Sequence, residues 1–210
     1  GIDKIAEMAR KLGLGVRHDL PLSAVENGLA PDRAWKLKTR GEDWRIGDTV
    51  NASIGQGDVL ASPLQLAVMA ARIATGRSVE PRLSKTVDGR ETEKRGGTRL
   101  DIPESHLDAV RRAMFAVVNH RRGTAYRSRI LDEAMKMAGK TGTSQVRRIT
   151  ADERRRGVTR NEDLPWERRD HALYVNFAPY DDPKIAVAVV VEHGGGGSKA
   201  AAPIARDITL

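Results

Sequence analysis

The sequence contains no cysteine and few aromatic residues, and the lack of cysteine excludes several kinds of site. Aromatic residues make up 4% of the 210 positions. Without a thiol there is no disulfide framework, no thiolate zinc site and no cysteine nucleophile. No run of about 18 apolar residues occurs, so the sequence predicts no membrane-spanning helix. The charged first residues, Gly1-Ile-Asp-Lys-Ile5, do not resemble a signal peptide, since an apolar segment is missing there.

Basic residues outnumber acidic ones. The chain has 36 lysines and arginines against 28 acidic residues, a formal net charge of +8. This excess favours a polyanionic partner or surface. Hydrophobic residues make up 40% of the chain, which is enough for a packed core.

Three segments have the apolar spacing of helices. The first covers residues 2–12. The second begins at Ser62, whose hydroxyl can form a capping box with Gln65, and ends at Gly76. The third runs from about residue 103 to 119.

Two other segments lack a regular period. Residues 16–60 read as irregular, with His18, Trp35 and Trp44 packing that stretch rather than performing chemistry. Residues 84–99 are polar and contain glycine, which indicates a surface hairpin or loop.

The last third of the chain changes to strand patterns. The predicted strands are Met135–Val146, Ala172–Ala178 and Ile185–Glu192. The turn Pro179–Pro183 makes the last two an antiparallel hairpin. Residues 194–197 are four glycines that lead into a closing helix. Helices followed by a three-strand meander predict an α+β fold, an antiparallel sheet flanked by helices.

One short motif carries chemistry, Lys-Thr-Gly-Thr at residues 140–143. Gly139 and Gly142 weaken a strand and leave its backbone bare, so another strand can dock there. A lysine and two hydroxyls beside that edge suit a peptide that ends in a free carboxylate. A phosphate-binding loop is excluded, because Ala134 stands where that motif needs its first glycine.

The motif and its surroundings resemble the class B penicillin-binding proteins, and most closely their elongation-specific type. The other matching segments are Asn51-Ala-Ser-Ile-Gly-Gln-Gly57, Ala61-Ser-Pro-Leu-Gln-Leu-Ala67, Arg122-Gly-Thr-Ala125, His171-Ala-Leu-Tyr-Val-Asn-Phe-Ala-Pro179, Glu192-His-Gly-Gly-Gly-Gly-Ser198 and Ala201-Ala-Pro203.

The resemblance implies the transpeptidase fold shared with serine β-lactamases, with three of five sheet strands in this chain. It also implies serine-type peptidoglycan D,D-transpeptidase activity, the cross-linking of stem peptides during cell-wall elongation. Carried over, Lys140 supplies positive charge to the substrate and to a proton relay. Thr141 and Thr143 bind the substrate carboxylate, and Gly142 allows close approach. The backbone N–H of Thr143 is one oxyanion donor.

Two motifs of that family are missing. None of the nine serines has a lysine three residues later, and none has asparagine or aspartate two residues later. We therefore expect residues 1–210 to be the C-terminal portion of a transpeptidase domain, inactive alone, with apolar surface uncovered and one sheet edge unpaired. Two alternatives stay open: a non-catalytic penicillin-recognising sensor or binding module, and a scaffold for a cell-wall polymerase.

Partners and location follow from the same resemblance. It implies stem peptides of peptidoglycan, β-lactam antibiotics in the intact domain, and a SEDS-type glycosyltransferase within an elongation complex. It places the protein at the periplasmic face of the bacterial inner membrane, held by an anchor upstream of this chain. No cofactor is implied. No two histidines have metal-ligand spacing, so we expect no metal.

An arginine-rich insertion, residues 147–171, separates the first two predicted strands. Its first 23 residues, 147–169, hold eight arginines and five acids. A solvated loop is the plain interpretation, and a loop that flanks the cleft and helps to hold peptidoglycan is a second. Nucleic-acid binding is disfavoured because Trp166 is the single aromatic residue there. We expect His171 and His193 to be structural, and Gly194–Gly197 to be a packing turn rather than a phosphate site.

Overall fold

The chain divides into two units, residues 1–107 and residues 108–210. The computed structural model describes residues 1–92 and 96–210. The helices are α1 (Ile2–Lys11), α2 (Arg33–Arg40), α3 (Ile46–Ser53), α4 (Pro63–Thr75), α5 (Glu104–Asn119), α6 (Ala151–Arg156) and α7 (Ala201–Thr209). The strands are β1 (Thr86–Val87), β2 (Arg90–Glu91), β3 (Ala138–Ser144), β4 (His171–Ala178) and β5 (Ile185–Val191).

In the first unit, helices α1 and α4 confirm the predictions from apolar spacing. At the start of α4, the Ser62 hydroxyl accepts from Gln65 N at 3.2 Å, and the Gln65 side chain accepts from Ser62 N at 3.1 Å. Gly76 ends the helix in the left-handed conformation, with φ of 66°, which glycine adopts at low cost.

The prediction that residues 16–60 are irregular is wrong, because α2 and α3 lie within them. Helix α2 has only eight residues, four of them basic, so its three apolar residues form too short a pattern to mark a helix in the sequence. Its start is fixed instead by Asp32, which accepts from Trp35 N at 2.8 Å. Helix α3 begins with the Arg45 backbone N–H donating to the Asp48 carboxylate at 2.8 Å.

A buried amide joins the loops of the first unit to α4. Gln65 is fully buried. Its Nε2 donates to the carbonyls of Val16 at 2.7 Å and Asn27 at 2.9 Å. These bonds satisfy carbonyl groups that have no hydrogen-bond partner in a helix or sheet.

Buried basic side chains also hydrogen-bond to backbone carbonyls elsewhere in this unit. Arg72 of α4 pairs with Glu80 and donates to the carbonyl of Lys11 at 2.9 Å. His18 is also buried, with Nδ1 3.0 Å from a Glu80 carboxylate oxygen and Nε2 3.1 Å from the carbonyl of Gly13. The expectation that His18 packs this stretch is therefore confirmed.

The polar segment 84–99 forms the predicted surface hairpin in its described part. Strands β1 and β2 pair antiparallel, with Val87 opposite Arg90. Residues 93–95, which this prediction also covered, lie outside the described residues.

In the second unit, β3, β4 and β5 form one antiparallel sheet in that order, which confirms the predicted meander. The strand bounds differ at the ends. Residues 133–135 form a 3₁₀ turn, so β3 begins at Ala138 rather than Met135, and it ends at Ser144 rather than Val146. Strand β5 ends one residue before Glu192.

Helix α7 covers one face of this sheet. The fully buried Tyr174 lies in the apolar core of this unit, and Asn176 Nδ2 donates to Thr209 Oγ1 of α7 at 2.9 Å. The core residues are Val118, Ala125, Ile130, Met137, Ala172, Tyr174, Ala178, Val187, Ala201, Ala202 and Ala205. Strand β5 was predicted to be covered on both faces, but most of its residues are only half-buried and Ile185 is exposed.

The third predicted helix is α5, which begins at Glu104 and ends at Asn119. Met114 and Val118 on its predicted apolar face are buried, but Val110 is 44% exposed, so that face is narrower than expected.

The insertion contains short helical pieces rather than an unstructured loop. Helix α6 begins after Thr150, whose hydroxyl accepts from Glu153 N at 3.2 Å. Two 3₁₀ turns follow at residues 161–163 and 166–168. The predicted end at residue 171 is wrong by one position, because His171 is the first residue of β4.

Candidate active site

Strand β3 carries the four motif residues at one edge of the sheet. Thr141 lies opposite Tyr174 of β4, and Thr143 lies opposite Ala172. Within residues 1–92 and 96–210, no strand pairs with the other edge of β3. Alternate residues of a strand present N–H and C=O groups to the same edge. That edge can therefore accept an extended peptide as an added strand.

Lys140 places a positive charge on this strand. Its side chain is exposed, and its Nζ donates to the carbonyl oxygen of Thr141 at 2.7 Å. An ammonium group has three donors on a flexible stem, so it can contact the strand and an arriving carboxylate together.

The hydroxyl of Thr141 has a partner outside the motif. Thr124 Oγ1 lies 3.0 Å from Thr141 Oγ1, and either oxygen can be the donor. Thr124 belongs to the turn Arg122–Ala125, which the sequence indicated through its family resemblance but without a role for the side chain. No sequence pattern links two threonines 17 residues apart, so sequence reasoning missed this contact.

Close packing fixes the turn that holds Thr124. A Cβ atom on Gly123 would lie 2.1 Å from the carbonyl oxygen of Val117, so only glycine fits without a shift. Ala125 is buried, and its backbone N–H donates to the same carbonyl at 3.1 Å. Thr124 therefore stands between two residues whose positions the end of α5 determines.

The glycines around the motif have different roles, and one expectation needs correction. Gly139 was predicted to expose bare backbone, yet it is buried, and a Cβ there would lie 2.2 Å from the Tyr174 hydroxyl. Gly139 therefore makes room for a core side chain. Burial raises the pKa of Tyr174, so this phenol stays protonated at physiological pH.

Gly142 is half-buried, and a second glycine packs against its backbone. A Cβ on Gly197 would lie 2.2 Å from the carbonyl oxygen of Leu173 and 2.6 Å from that of Gly142. The glycine run 194–197 is therefore a packing turn beside the motif, as its sequence predicted.

Two histidines and a tryptophan form a ring cluster at the start of β4, where His171 lies opposite Ser144, the residue that follows the motif. The rings of His171 and His193 lie 4.7 Å apart between centroids, and those of Trp166 and His193 lie 4.5 Å apart. His193 N donates to His171 Nδ1 at 2.9 Å. Both histidines thus hold the insertion and the glycine turn, in agreement with the structural role expected for them.

An ion pair orders the insertion. The Arg147 guanidinium donates to both carboxylate oxygens of Glu153, each at 2.7 Å. This bond, with a smaller contribution from Thr159 N–H, lowers the pKa of Glu153 to about 2. Glu153 is therefore ionised over the physiological range.

Among the described residues, no group of three histidine, aspartate or glutamate side chains is placed to hold a metal ion. Over the same part of the chain, no helix has the length and apolar character needed to cross a membrane.

The fold and the edge-strand motif define a class of protein, and a comparison with known families agrees with it. The family model described as "Penicillin binding protein transpeptidase domain" matches residues 1–210. The chain therefore belongs to the penicillin-binding protein transpeptidase family, and the α+β transpeptidase fold expected from the sequence is confirmed.

Among curated proteins, similar relatives are peptidoglycan D,D-transpeptidases named MrdA. The chain is 34% identical to that of Salmonella typhimurium over 215 residues, which cover 99% of this chain and 34% of that protein. It is 35% identical to that of Acinetobacter baumannii over 214 residues, or 97% of this chain and 30% of that protein. The chain thus spans about a third of the length of the curated relatives it matches.

Solved structures give the same result. Pseudomonas aeruginosa PBP2 in complex with WCK 5153 is 37% identical with a TM-score of 0.79, over 99% of this chain and 42% of that one. Helicobacter pylori PBP2 in complex with MreC is 34% identical with a TM-score of 0.79, over 98% of this chain and 35% of that one. The expected likeness to the elongation-specific penicillin-binding protein 2 is therefore confirmed.

Proposed function

We propose that this chain is the C-terminal portion of a peptidoglycan D,D-transpeptidase domain and holds the strand on which the substrate peptide docks. The observation that carries the proposal is the edge of β3 with which no strand of the described residues pairs, where Lys140, Thr141 and Thr143 stand beside the small Gly142. The family of the chain and the names of its relatives support the same activity.

The reaction is two successive acyl transfers. A serine hydroxyl from a segment outside this chain attacks the carbonyl carbon of the penultimate D-alanine of a stem peptide. The bond to the terminal D-alanine breaks, and its nitrogen takes a proton as that residue leaves. The amine of a second stem peptide then attacks the ester carbon, which forms the cross-link and returns the serine hydroxyl. A β-lactam acylates the same serine when its ring amide opens.

The motif residues prepare the first step. The ammonium of Lys140 attracts the terminal carboxylate and stabilises the proton relay of the nucleophile. The hydroxyls of Thr141 and Thr143 donate to that carboxylate. The backbone N–H of Thr143 points to where negative charge develops on the attacked carbonyl oxygen. Gly142 has no side chain to hold the added peptide away from β3.

The partners and location follow from this role. The substrate is the stem peptide of peptidoglycan, and a SEDS-type glycosyltransferase within an elongation complex is the synthase partner. A relative solved with MreC supports an assembly of this kind. The protein works at the periplasmic face of the inner membrane through an anchor outside this chain, where its net charge of +8 suits anionic surfaces.

Covalent labelling with a fluorescent penicillin, followed by a denaturing gel, tests the proposal. The protein at its natural length should be labelled, and a Lys140→Ala variant should be labelled at least tenfold more slowly, because a charge-assisted contact worth about 1.5–3 kcal/mol is lost. The 210-residue chain alone should stay unlabelled, since it has no serine followed three residues later by lysine. The exposed Lys38→Ala serves as the matched control.

Each possible failure has a distinct meaning. Absence of labelling at natural length would overturn the transpeptidase proposal and favour the sensor module or the polymerase scaffold. Labelling of the 210-residue chain would show that its own residues supply the nucleophile. Equal rates for Lys140→Ala and the unaltered protein would remove Lys140 from the site.

A further inference from the structure

Thr124 and Thr141 form a hydroxyl pair with two protons, and the hydrogen bond between them uses only one. Their oxygens lie 3.0 Å apart, so one hydroxyl donates to the other. Each hydroxyl has one proton and two acceptor lone pairs. If Thr141 is the donor, its only proton is used within the protein. If Thr124 is the donor, the Thr141 proton is available to a ligand on β3.

We propose that Thr124 is a positioning residue that donates to Thr141 and so aims the Thr141 proton at the substrate carboxylate. The inference rests on the proposed function of β3 as the carboxylate-binding strand. A carboxylate only accepts hydrogen bonds, so Thr141 must donate to it. Donation from Thr124 then also polarises the Thr141 hydroxyl, because consecutive hydrogen bonds strengthen one another.

The turn that carries Thr124 is suited to this role because it has little freedom. Gly123 packs against the carbonyl of Val117, and the buried Ala125 donates to that same carbonyl. Asn119, at the end of α5, donates through Nδ2 to the carbonyl of Met137 at 3.0 Å, just before β3 begins. The turn and the strand are therefore tied together, which fixes the distance between the two hydroxyls.

A direct role is the competing explanation, in which Thr124 itself binds the carboxylate. The two explanations make different predictions about coupling. A positioning residue acts only while Thr141 keeps its hydroxyl and only while the ligand keeps its carboxylate. A residue that binds the ligand directly retains its effect when Thr141 is changed.

The experiment measures second-order acylation rates of the protein at its natural length with benzylpenicillin and with its methyl ester, which lacks the free carboxylate. Thr124→Val should acylate about fivefold more slowly with benzylpenicillin, the loss of one net hydrogen bond. Thr124→Ser keeps the hydroxyl and should restore most of the rate. With the methyl ester, Thr124→Val and the unaltered protein should react equally. Thr39→Val, an exposed threonine on α2, is the control.

The double variant Thr124→Val/Thr141→Val decides between the explanations. If Thr124 acts through Thr141, the double variant reacts at the rate of Thr141→Val alone. A further loss in the double variant would overturn the proposal in favour of direct binding. Unchanged acylation of Thr124→Val, or an equal loss with the ester, would also overturn it. Failure of the unaltered protein to react with any β-lactam would instead contradict the proposed function.

Discussion

The interiors of the two units differ in the polar side chains that they bury. The second unit has an apolar core between its sheet and α7. The first unit also buries apolar residues, and beside them it buries the long polar or basic side chains of His18, Lys36, Gln65 and Arg72. An antiparallel sheet satisfies its own backbone groups, whereas irregular segments need side chains to do so. Where the backbone is irregular, buried polar side chains therefore supply the hydrogen bonds that neighbouring strands supply in a sheet.

The candidate site belongs to the unit with the apolar core. Its motif residues lie on a strand whose neighbour β4 is buried along most of its length. A site on such an element keeps its geometry better than one on a loop. Three substitutions test how each unit is stabilised.

The largest effect is expected in the apolar interior of the second unit. Phe177 of β4 is fully buried, and its ring stacks on Tyr180 with 6.2 Å between centroids. Phe177→Ala should lower the free energy of unfolding by about 3–5 kcal/mol, because it loses buried area and leaves a cavity. Denaturant unfolding measures this, with the exposed Leu131→Ala as control. A loss under about 1 kcal/mol would contradict an interior held by packing.

The next effect tests the polar interior of the first unit. Gln65→Leu keeps most of the volume but removes the donors to Val16 and Asn27. The carbonyls of the half-buried Val16 and the exposed Asn27 lose their donor, so the free energy of unfolding should fall by roughly 1–3 kcal/mol, the net worth of two hydrogen bonds.

Hydrogen exchange then locates the damage from Gln65→Leu. Exchange should rise first in residues 16–30, while the amides of β4 keep their protection. Gln145→Leu, at an exposed glutamine, is the matched control. Equal stability of Gln65→Leu and the unaltered protein would show that this amide does not hold the loops.

The smallest effect is local and depends on pH. The folded pKa of Glu153 is about 2, below the ordinary 4.5. The stability that its pairing with Arg147 contributes is therefore fully present above pH 4.5 and is lost as the pH falls through about 2. The protection factors of the α6 amides, which allow for the intrinsic effect of pH on exchange, should fall over this window while those of β4 are kept. Arg147→Gln should remove the pH dependence. If the pH dependence persists in this variant, another group is responsible for it.

The same contrast explains how much could be predicted from the sequence. The strands of the second unit and the motif at 140–143 were visible, because alternating or continuous apolar residues and turn residues report sheet structure directly. Helices α2 and α3 escaped prediction because each has only eight residues, which is too short for an apolar pattern to identify a helix. Their starts depend on Asp32 and on the Arg45–Asp48 pair.

Only part of the candidate site could be predicted from the sequence, for a related reason. The motif marks the strand, but a contact between distant segments has no local signal. The pairing of Thr124 with Thr141 depends on how α5 ends relative to β3. The reason for Gly139 depends on Tyr174, which lies on another strand. Such contacts come from packing, and packing is decided by the whole fold.

The most direct test of the account is the crystal structure of the protein at its natural length, acylated by benzylpenicillin. We expect the ligand carboxylate within about 3.2 Å of the Thr141 and Thr143 hydroxyls. Its ester carbonyl oxygen should face the backbone N–H of Thr143, and Lys140 Nζ should lie beside the carboxylate. An acylated structure in which the carboxylate binds elsewhere and the open edge of β3 is empty would contradict the account.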